Sequence, residues 1–365
     1  MLNLSAWLGS WGALPPAVRE LLDAFASPAG RGRRYALGRN EHSAALAKAI
    51  ELDGIVDDFA EPGALWCGKP VMKGTAVPRQ AIVVNCSMCA SPVSAARRLA
   101  TLDIAGVLAF SDLCRGRPDR VPLPAFVRQT REDLVQNEAR WRALEAALAD
   151  APSRQVLDDL LRYRTTGDYS VMQRYSVRPH EQYFEDFLGL AAGEVFVDAG
   201  GYDGDSTQEF CRRCPQYAKV YLFEPVAANL QKARARLDGL PAIEFLDLGL
   251  SDAAGALTFN ADAGSASAVS GAGSSRIAVT TLDAQVTGRV SFVKMDLEGW
   301  EMPALAGSRR HILTDHPKLA IAVYHHASHF WGVLGLVMDL RTDYDVYLRH
   351  YTEGWSESVL YFVPR

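Results

Sequence analysis

The stretch VFVDAGGYDGDS, residues 195–206, begins as an apolar run and ends in a loop of glycines and acids. The run Val195–Val197 predicts a buried parallel strand, which Asp198 closes. The loop backbone is freed by three glycines, Gly200, Gly201 and Gly204. The hydroxyls of Ser206 and Thr207 are expected to cap a following helix. A strand, a glycine loop and a helix in this order are typical of a nucleotide site in an α/β fold.

The same stretch carries three acids where a phosphate would normally bind: Asp198, Asp203 and Asp205. Such side chains would repel a pyrophosphate. They favour a sulfonium and an ammonium group, while backbone N–H groups can bind a carboxylate. S-adenosylmethionine has these three groups and no phosphate. The acids therefore predict S-adenosylmethionine as the cofactor.

Two later strand ends support this prediction. The strand KVYLFEP ends in Glu224 and Pro225, and an acid at the end of the second strand binds ribose hydroxyls in related folds. In LDLGLSD, Asp247 and the backbone near Gly249 are expected to meet the adenine. The complete set of expected cofactor contacts is Asp198, Gly200, Tyr202, Asp203, Gly204, Ser206, Thr207, Glu224, Pro225, Asp247 and Gly249. The alternative is a glycine-rich turn that binds no ligand.

Composition sets the broad class of the protein. The chain has 365 residues, with 48% hydrophobic and 22% charged residues, which is typical of a globular protein of two domains. Its net charge of −5 argues against a nucleic-acid partner. The N-terminus MLNLSAWLGSWGALPP is a poor signal peptide, and no apolar run approaches the roughly 18 residues that span a bilayer. We therefore expect no transmembrane segment and a cytoplasmic location.

Alternation of strands and helices predicts two α/β regions. Residues 1–118 are expected to form a small Rossmann-like domain with an N-terminal helix, 119–189 a helical connector, and 190–365 the cofactor domain. The stretch 261–275, rich in Gly, Ser and Ala, reads as a loop that either covers the site or is a plain surface excursion. The last two strands, DVYLRHY and SVLYFVP, are close in sequence and predict a hairpin, so one strand of the sheet is antiparallel.

Residues from about 180 to 365 resemble the FkbM family of S-adenosylmethionine-dependent methyltransferases. The matching motifs are VDAGGYDGDST, LFEP, LGLSD, TTLDA, VKMDLEGWEMPALAG and HPKLAIAVYH, followed by the last two strands. The resemblance implies a class I methyltransferase fold, a seven-stranded, mostly parallel sheet with a reversed last strand. It also implies O-methylation of an acceptor hydroxyl, often on a sugar or polyketide. The sequence departs from the family at Ala199–Asp203, where Gly-Ala-Asn is more usual.

The first region has weaker signals. YALGRNEHSAALAKAI contains one glycine, Gly38, where a dinucleotide loop would have three. Asp57 and Asp58 follow a predicted strand. The region resembles the small Rossmann-like domain of some sugar-modifying enzymes, and substrate binding, assembly and a purely structural role stay open.

Two segments supply candidate catalytic residues. FVKMDLEGWE places Lys294, Asp296 and Glu298 on one alternating face at a strand end, where they either serve the reaction or form a salt-bridged terminus. YHHASHFW adds His325, His326 and His329. We expect the catalytic set Asp296, Glu298, His325, Lys294 and His326, with His325 or Asp296 as the base.

These histidines and acids could also hold a divalent metal, which simple O-methylation does not need. The pairs Cys86–Cys89 and Cys211–Cys214 could ligate zinc only across two domains, so buried free cysteines are the preferred interpretation. Four aromatic residues either form an acceptor wall or belong to the core: Trp300, Trp331, Trp355 and Tyr351.

The sequence thus predicts an O-methyltransferase for a small-molecule or glycan acceptor, with homo-oligomer formation left open. The alternatives are a nucleotide-sugar oxidoreductase that uses the first domain and a non-catalytic nucleotide-binding module.

Overall fold

Two large sheets organise the chain, one in each of two structural units, and unit 2 also holds a small three-stranded sheet. The computed structural model describes residues 4–9, 14–259 and 275–365. Unit 1 comprises the chain up to Glu138 together with Asp158–Val177 and Thr352–Ser356. Unit 2 comprises Ala139–Leu157, Arg178–Tyr351 and Glu357–Arg365. The domain limits at 118 and 190 stay predictions, because they concern which fragments of the chain fold independently.

Unit 1 is built on a six-stranded sheet in the order β3-β4-β2-β1-β5-β6. Its strands are β1 Arg34–Leu37, β2 Gly54–Val56, β3 Leu65–Trp66, β4 Lys69–Met72, β5 Ile82–Asn85 and β6 Gly106–Ala109. All pairs are parallel except β3 with β4. The helices to this point are α1 Leu4–Gly9, α2 Pro16–Ala26, α3 Glu41–Ala49, α4 Pro92–Ala100, α5 Phe110–Gly116 and α6 Ala125–Gln136. Two more follow, α7 Glu138–Ala147 and α8 Ala151–Thr166.

Local chemistry explains the start of α3. The Asn40 side chain accepts hydrogen bonds from the backbone N–H groups of His42 and Ser43, and the Ser43 hydroxyl accepts one from the Asn40 N–H. This reciprocal cap satisfies donors that a helix start leaves unpaired. The stretch AGVLAFSDL is divided between a strand and a helix, because β6 ends at Ala109 and α5 begins at Phe110.

Unit 2 contains the predicted seven-stranded sheet, in the order β15-β16-β14-β13-β7-β8-β9. The strands are β7 Val195–Ala199, β8 Lys219–Phe223, β9 Ile243–Leu246, β13 Phe292–Met295, β14 Lys318–Ala322, β15 Tyr344–His350 and β16 Ser358–Pro364. A three-stranded sheet holds β10 Gly249–Leu250, β11 Gly255–Phe259 and β12 Ser275–Thr280. The helices are α9 Asp205–Arg213, α10 Ala227–Arg236, α11 Leu282–Gln285, α12 Glu301–Ala306, α13 Arg309–Asp315 and α14 His329–Leu340.

The direction of the strands confirms the expected fold class. β16 is antiparallel to both β14 and β15, and every other pair in the large sheet is parallel. The stretch IEFLDLGLSD contains two strands: β9 joins the large sheet and β10 the small one. Most of the predicted loop 261–275 lies outside the described residues.

An aromatic core fixes one side of the large sheet. Phe196 of β7 stacks between Phe210 of α9 and Phe292 of β13, with ring centroids 4.3 and 4.9 Å away. Phe184, from the segment before β7, packs on the edges of Phe196 and Phe292. Burial of this kind contributes about 3–5 kcal/mol for each large aromatic side chain. In the described residues, no helix combines the length and the apolar character needed to cross a membrane.

Candidate active site

The glycine loop after β7 lies directly against the end of β13. A Cβ on Gly200 would be 1.9 Å from the carbonyl oxygen of Asp296, and the φ angle of Gly200 is +77°. The Asp296 N–H donates to the carbonyl oxygen of Ala199 at 3.1 Å. Only glycine fits such an approach, so the loop and the first predicted catalytic acid are fixed beside each other.

Asp198 holds this loop through buried hydrogen bonds. Its carboxylate is fully buried and accepts hydrogen bonds from the hydroxyls of Ser206 (2.6 Å) and Thr207 (2.7 Å). The predicted capping role of these hydroxyls is therefore wrong: Gly204 is the N-cap of α9, and no side chain caps that helix. Lys294 completes the anchor with an ion pair to Asp198 at 3.0 Å and a hydrogen bond to the Gly200 carbonyl at 2.7 Å.

The charge of Lys294 follows from these neighbours. Burial alone would lower the pKa of Lys294, but Asp198 and Asp296 outweigh it and raise the pKa. Lys294 is thus a charged group that holds the loop. Lys294 is 3% exposed, and its ion pair with Asp198 corresponds to the salt-bridged alternative for this strand end.

Glu224 ends β8 as predicted, and its carboxylate organises the opposite side of the loop. It accepts hydrogen bonds from the N–H groups of Tyr202 (3.0 Å) and Val226 (2.9 Å). Burial raises the pKa of Glu224, and these two hydrogen bonds oppose the rise. Pro225 follows it on the path to α10. Glu224, the predicted ribose contact, therefore also links the glycine loop to the end of β8.

The other predicted cofactor residues lie in different surroundings. The Tyr202 side chain is exposed, whereas Asp203 forms an ion pair with Arg236 at 2.5 Å. Gly204 packs against Ala233 of α10 with a φ of +85°. Asp247 is exposed after β9, and Gly249 is buried at the start of β10.

An acid–histidine cluster occupies the ends of β13 and β14. It consists of Asp296, Glu298, Glu301, His325 and His329, of which the sequence predicted Asp296, Glu298 and His325 as catalytic. The Nδ1 atom of His325 is 3.1 Å from Glu301, and its Nε2 atom is 3.3 Å from Glu298 and 3.6 Å from Asp296. His329 Nδ1 is 3.1 Å from the other oxygen of Glu301. These distances are those of ion pairs, although the rings do not have hydrogen-bond alignment.

His325 is charged in this setting. Burial would lower the pKa of His325, but Glu301, Glu298 and Asp296 outweigh it and raise the pKa well above its usual value. Three carboxylates surround the ring, and they favour its protonated state over the neutral state that a base at His325 would need. A doubly protonated imidazole accepts no proton and has no lone pair for a metal.

Three of these residues could still supply metal ligands. Asp296, Glu301 and His325 each offer an atom, and the three atoms lie within 4.8 Å of one another. Metal binding would require His325 to lose a proton that the carboxylates stabilise. The ion-paired state and the metal-bound state therefore exclude each other at His325.

The turn after Asp296 is strained. Glu298 is not glycine, yet its φ angle is +52°. Such a conformation costs of order 1–3 kcal/mol and is concentrated at functional sites. The side chain of His326 is exposed, but its Nε2 atom lies close to this turn. A Cβ on Gly299 would be 2.9 Å from that atom. The turn thus brings Glu298 to His325 and leaves His326 at the rim.

Sequence reasoning missed four further residues at this site besides Glu301. Tyr183 donates to Asp296 at 2.6 Å, and Tyr324 contacts both oxygens of Asp296 at 3.3 Å. Gln182 donates to Glu357 at 2.7 Å and to the Tyr183 hydroxyl at 2.8 Å. Glu357 could have been found from the predicted reversed strand, which begins at the edge where the other strands end. Tyr183 and Gln182 lie in an irregular segment and give no periodic signal.

The expected aromatic wall divides among several environments. Tyr351 is fully buried and bonds to Glu185 and Tyr361, and Trp300 donates to Ser251 at 3.1 Å. Arg140 lies over the ring of Trp331 at 4.4 Å. In unit 1, Trp355 stacks on Phe126 at 5.8 Å. Tyr351 thus has the core role that the sequence left as its alternative, whereas Trp355 is half-buried.

In unit 1, the polar groups near the ends of the strands are bound by side chains of the same unit. At the start of α4, the carboxylate of Glu353 accepts hydrogen bonds from the N–H (2.7 Å) and the hydroxyl (2.6 Å) of Ser94. A Cβ on Gly354 would be 1.9 Å from the Cys89 carbonyl oxygen. Asp57 pairs with Arg39, and Asp58 accepts from the Gly74 N–H and Arg98. A carboxylate therefore occupies the helix terminus where a phosphate would bind.

Comparison with known proteins shows a family match for residues 198–352. Residues 198–352 match the family model described as Methyltransferase FkbM domain, which confirms the resemblance inferred from the sequence. The structure is similar to that of methyltransferase FkbM from Methylobacillus flagellatus KT, with a TM-score of 0.75 and 24% identity. The similarity covers 99% of this chain and 98% of that chain, so the fold is shared over its length.

Other solved structures are similar to part of the chain. An rRNA methylase from Streptococcus thermophilus is 20% identical, covers 49% of this chain and 92% of its own, and has a TM-score of 0.34. Fibrillarin from Aeropyrum pernix, solved with S-adenosyl-L-methionine, is 12% identical, covers 48% and 71%, and has a TM-score of 0.32. No curated protein shows significant sequence similarity.

Proposed function

We propose that this methyltransferase uses S-adenosylmethionine to methylate a hydroxyl group of a sugar, a glycan precursor or a similar metabolite. The observation that carries the proposal is the close approach of Gly200 to the Asp296 carbonyl oxygen. It brings the glycine loop and the acid–histidine cluster to one edge of the sheet. Ligands of open α/β sheets bind outside the carboxyl ends of the strands.

The residues around the loop fit this cofactor. A Cβ at Gly200 would collide with the Asp296 carbonyl oxygen, which leaves the loop backbone in close contact with the end of β13. Carboxylates lie around the loop, and the cations beside them are already paired, Lys294 with Asp198 and Arg236 with Asp203. When bound, S-adenosylmethionine supplies a methyl group attached to a positively charged sulfur. We assign Glu224 to the ribose hydroxyls, and Asp247 and Gly249 to the adenine. The exposed side chain of Tyr202 lies on the solvent-facing side of the loop.

Asp198 has a different role in this proposal from the one that the sequence suggested. Because its carboxylate has no exposed surface and is bound by Lys294, Ser206 and Thr207, we assign it to positioning the loop. Alignment of the reacting groups contributes about 7–11 kcal/mol in well-held systems. Charged His325 holds Asp296 and Glu298 in place for the acceptor.

Calorimetry with S-adenosylhomocysteine tests the cofactor assignment. We expect Glu224→Gln to weaken binding at least tenfold, because a neutral amide cannot replace a carboxylate at two hydroxyl groups. Glu244→Gln is the matched control, since Glu244 lies on the neighbouring strand and pairs with Lys219. Equal affinity of wild type and Glu224→Gln would contradict the assignment.

Transfer of a labelled methyl group to nucleotide sugars, glycans and small hydroxylated metabolites tests the reaction. We expect the product to be a methyl ether and turnover to persist in the presence of a chelator. Stabilisation of the protein by NAD but not by S-adenosylhomocysteine would favour an oxidoreductase. Binding without transfer to any acceptor would favour a non-catalytic module. Homo-oligomer formation and a cytoplasmic location stay predictions.

A further inference from the structure

The reversed strand brings one more acid to the carboxyl edge of the sheet. Because β16 is antiparallel to β14, its first residues lie beside the last residues of β14. Val359 pairs with Ala322, and the Val323 N–H donates to the Ser358 carbonyl oxygen at 3.0 Å. Glu357 therefore reaches the edge from which Tyr324 and His325 extend.

Glu357 is held in place at a cost in backbone energy. Its φ angle is +64°, a left-handed conformation that non-glycine residues rarely adopt. Its Oε2 atom accepts the hydrogen bond from Gln182, and Gln182 also donates to the Tyr183 hydroxyl. Tyr183 in turn donates to Asp296. This directed chain joins the two carboxylates of Glu357 and Asp296 through neutral donors.

We propose that Glu357 is the general base that takes the proton of the acceptor hydroxyl. The proposal rests on the proposed function and adds the residue that completes it. The acceptor oxygen forms a bond to the methyl carbon, and the carbon–sulfur bond breaks with its electron pair on sulfur. The hydroxyl proton passes to a carboxylate oxygen of Glu357. The products are a methyl ether, S-adenosylhomocysteine and protonated Glu357.

The neighbouring groups are less suited to this step. Both ring nitrogens of His325 lie against carboxylates, Nδ1 against Glu301 and Nε2 against Glu298. Asp296 accepts hydrogen bonds from the hydroxyls of Tyr183 and Tyr324, so both of its oxygens already have a partner. In the described part of the chain, the Oε1 atom of Glu357 accepts no hydrogen bond, so this oxygen is the one available to an acceptor.

The electrostatic setting matches the role. Burial, followed by the charges of Asp296 and Glu298, raises the pKa of Glu357 to about 7, while Gln182 and His325 oppose the rise. A base with a pKa near the working pH combines availability with proton affinity, and general base catalysis contributes roughly 10²–10⁴-fold. Tyr183 and Tyr324 face the same group and stay neutral, because burial and Asp296 raise the pKa of each well above its usual value.

The first test measures proton binding in the free protein by ¹³C NMR of labelled glutamate side chains. We expect one carboxyl to titrate near pH 7, and its signal to be absent from Glu357→Gln and present in Glu244→Gln. Asp296→Asn should move this titration to lower pH because it removes a neighbouring negative charge. Gln182→Met should move it to higher pH. No glutamate titrating between pH 6 and 8 in wild type would overturn the proposal.

The second test separates binding from turnover. Glu357→Gln should bind S-adenosylhomocysteine within twofold of wild type and transfer methyl groups to a hexose methyl glycoside or a nucleotide sugar at least 100-fold more slowly. In wild type, kcat/KM should rise tenfold per pH unit up to about pH 7, and the variant should lose this dependence. Undiminished turnover in Glu357→Gln would refute the base. Failure of wild type to bind S-adenosylhomocysteine would refute the proposed function, whereas the NMR titration would still report on Glu357.

Discussion

Glu301 is the residue on which the acid–histidine cluster depends. It is fully buried, and its Oε1 atom accepts hydrogen bonds from the N–H groups of Leu297 (2.8 Å) and Gly299 (3.3 Å). The same carboxylate pairs with both His325 and His329. Glu301 therefore fixes the turn that carries Glu298 and also balances the buried positive charge of His325.

We predict that Glu301→Gln destabilises the protein by roughly 3–5 kcal/mol, because it removes the carboxylate that contributes most to compensating the buried charge of His325. Urea unfolding measures the change. The double variant Glu301→Gln/His325→Gln should recover part of the loss, since it removes both charges. A loss below about 1 kcal/mol in the single variant would show that the pair contributes no more than an exposed one.

The raised pKa of His325 makes its contribution to stability depend on pH. Because the folded state holds the proton more tightly than the unfolded state, the contribution is complete below the unfolded value of about 6.5. It is lost as pH rises through the higher folded pKa. We predict that the stability difference between wild type and His325→Gln is constant below pH 6 and shrinks in alkaline solution. Urea midpoints across a pH series check the sign, and a difference that grows with pH would contradict it.

At the scale of elements, the contact between the loop after β7 and the end of β13 determines the geometry of the site. Gly200→Ala would put a methyl group 1.9 Å from the Asp296 carbonyl and impose a φ of +77° on alanine. We predict at least a tenfold loss of S-adenosylhomocysteine affinity and a loss of stability of about 1–3 kcal/mol. Calorimetry and urea unfolding measure the two effects.

Gly288→Ala is the matched control for this variant, because no atom lies within 4 Å of the added Cβ and the backbone is not left-handed there. It should leave affinity and stability close to those of wild type. Unchanged affinity in Gly200→Ala would mean that the loop does not form the cofactor site.

Elements with a strong apolar pattern could be predicted, and those set by distant partners could not. The interior strands β7, β13 and β14 appear as runs of four or five residues that are mostly buried, so the sequence locates them closely. The strand β3 has only two residues and exists because β4 pairs with it. Tyr183 and Gln182 reach the site from an irregular segment, and their roles depend on contacts with Asp296 and Glu357 across more than 110 positions.

At the scale of the whole molecule, the segment before β7 belongs to the core of unit 2. Tyr183, Phe184 and Leu188 pack in the cluster that includes Phe196 and Phe292. A fragment that begins at 190 lacks them, whereas a fragment that begins at 178 retains them. We predict that fragment 178–365 unfolds at higher urea concentration than 190–365, since each buried aromatic contributes about 3–5 kcal/mol. Equal midpoints would show that the expected limit at 190 is the true one.

The short segment Thr352–Ser356 has a consequence for how the protein is made. Its Glu353 caps α4 of unit 1, yet the ribosome adds it more than 170 residues after the rest of that unit ends at Val177. At roughly 5–20 residues per second, the N-terminal unit waits about ten to thirty-five seconds for its last piece. During that interval the amino terminus of α4 lacks its carboxylate. Unit 1 is the first to be started during synthesis, but its last segment is added only when unit 2 is almost fully synthesised.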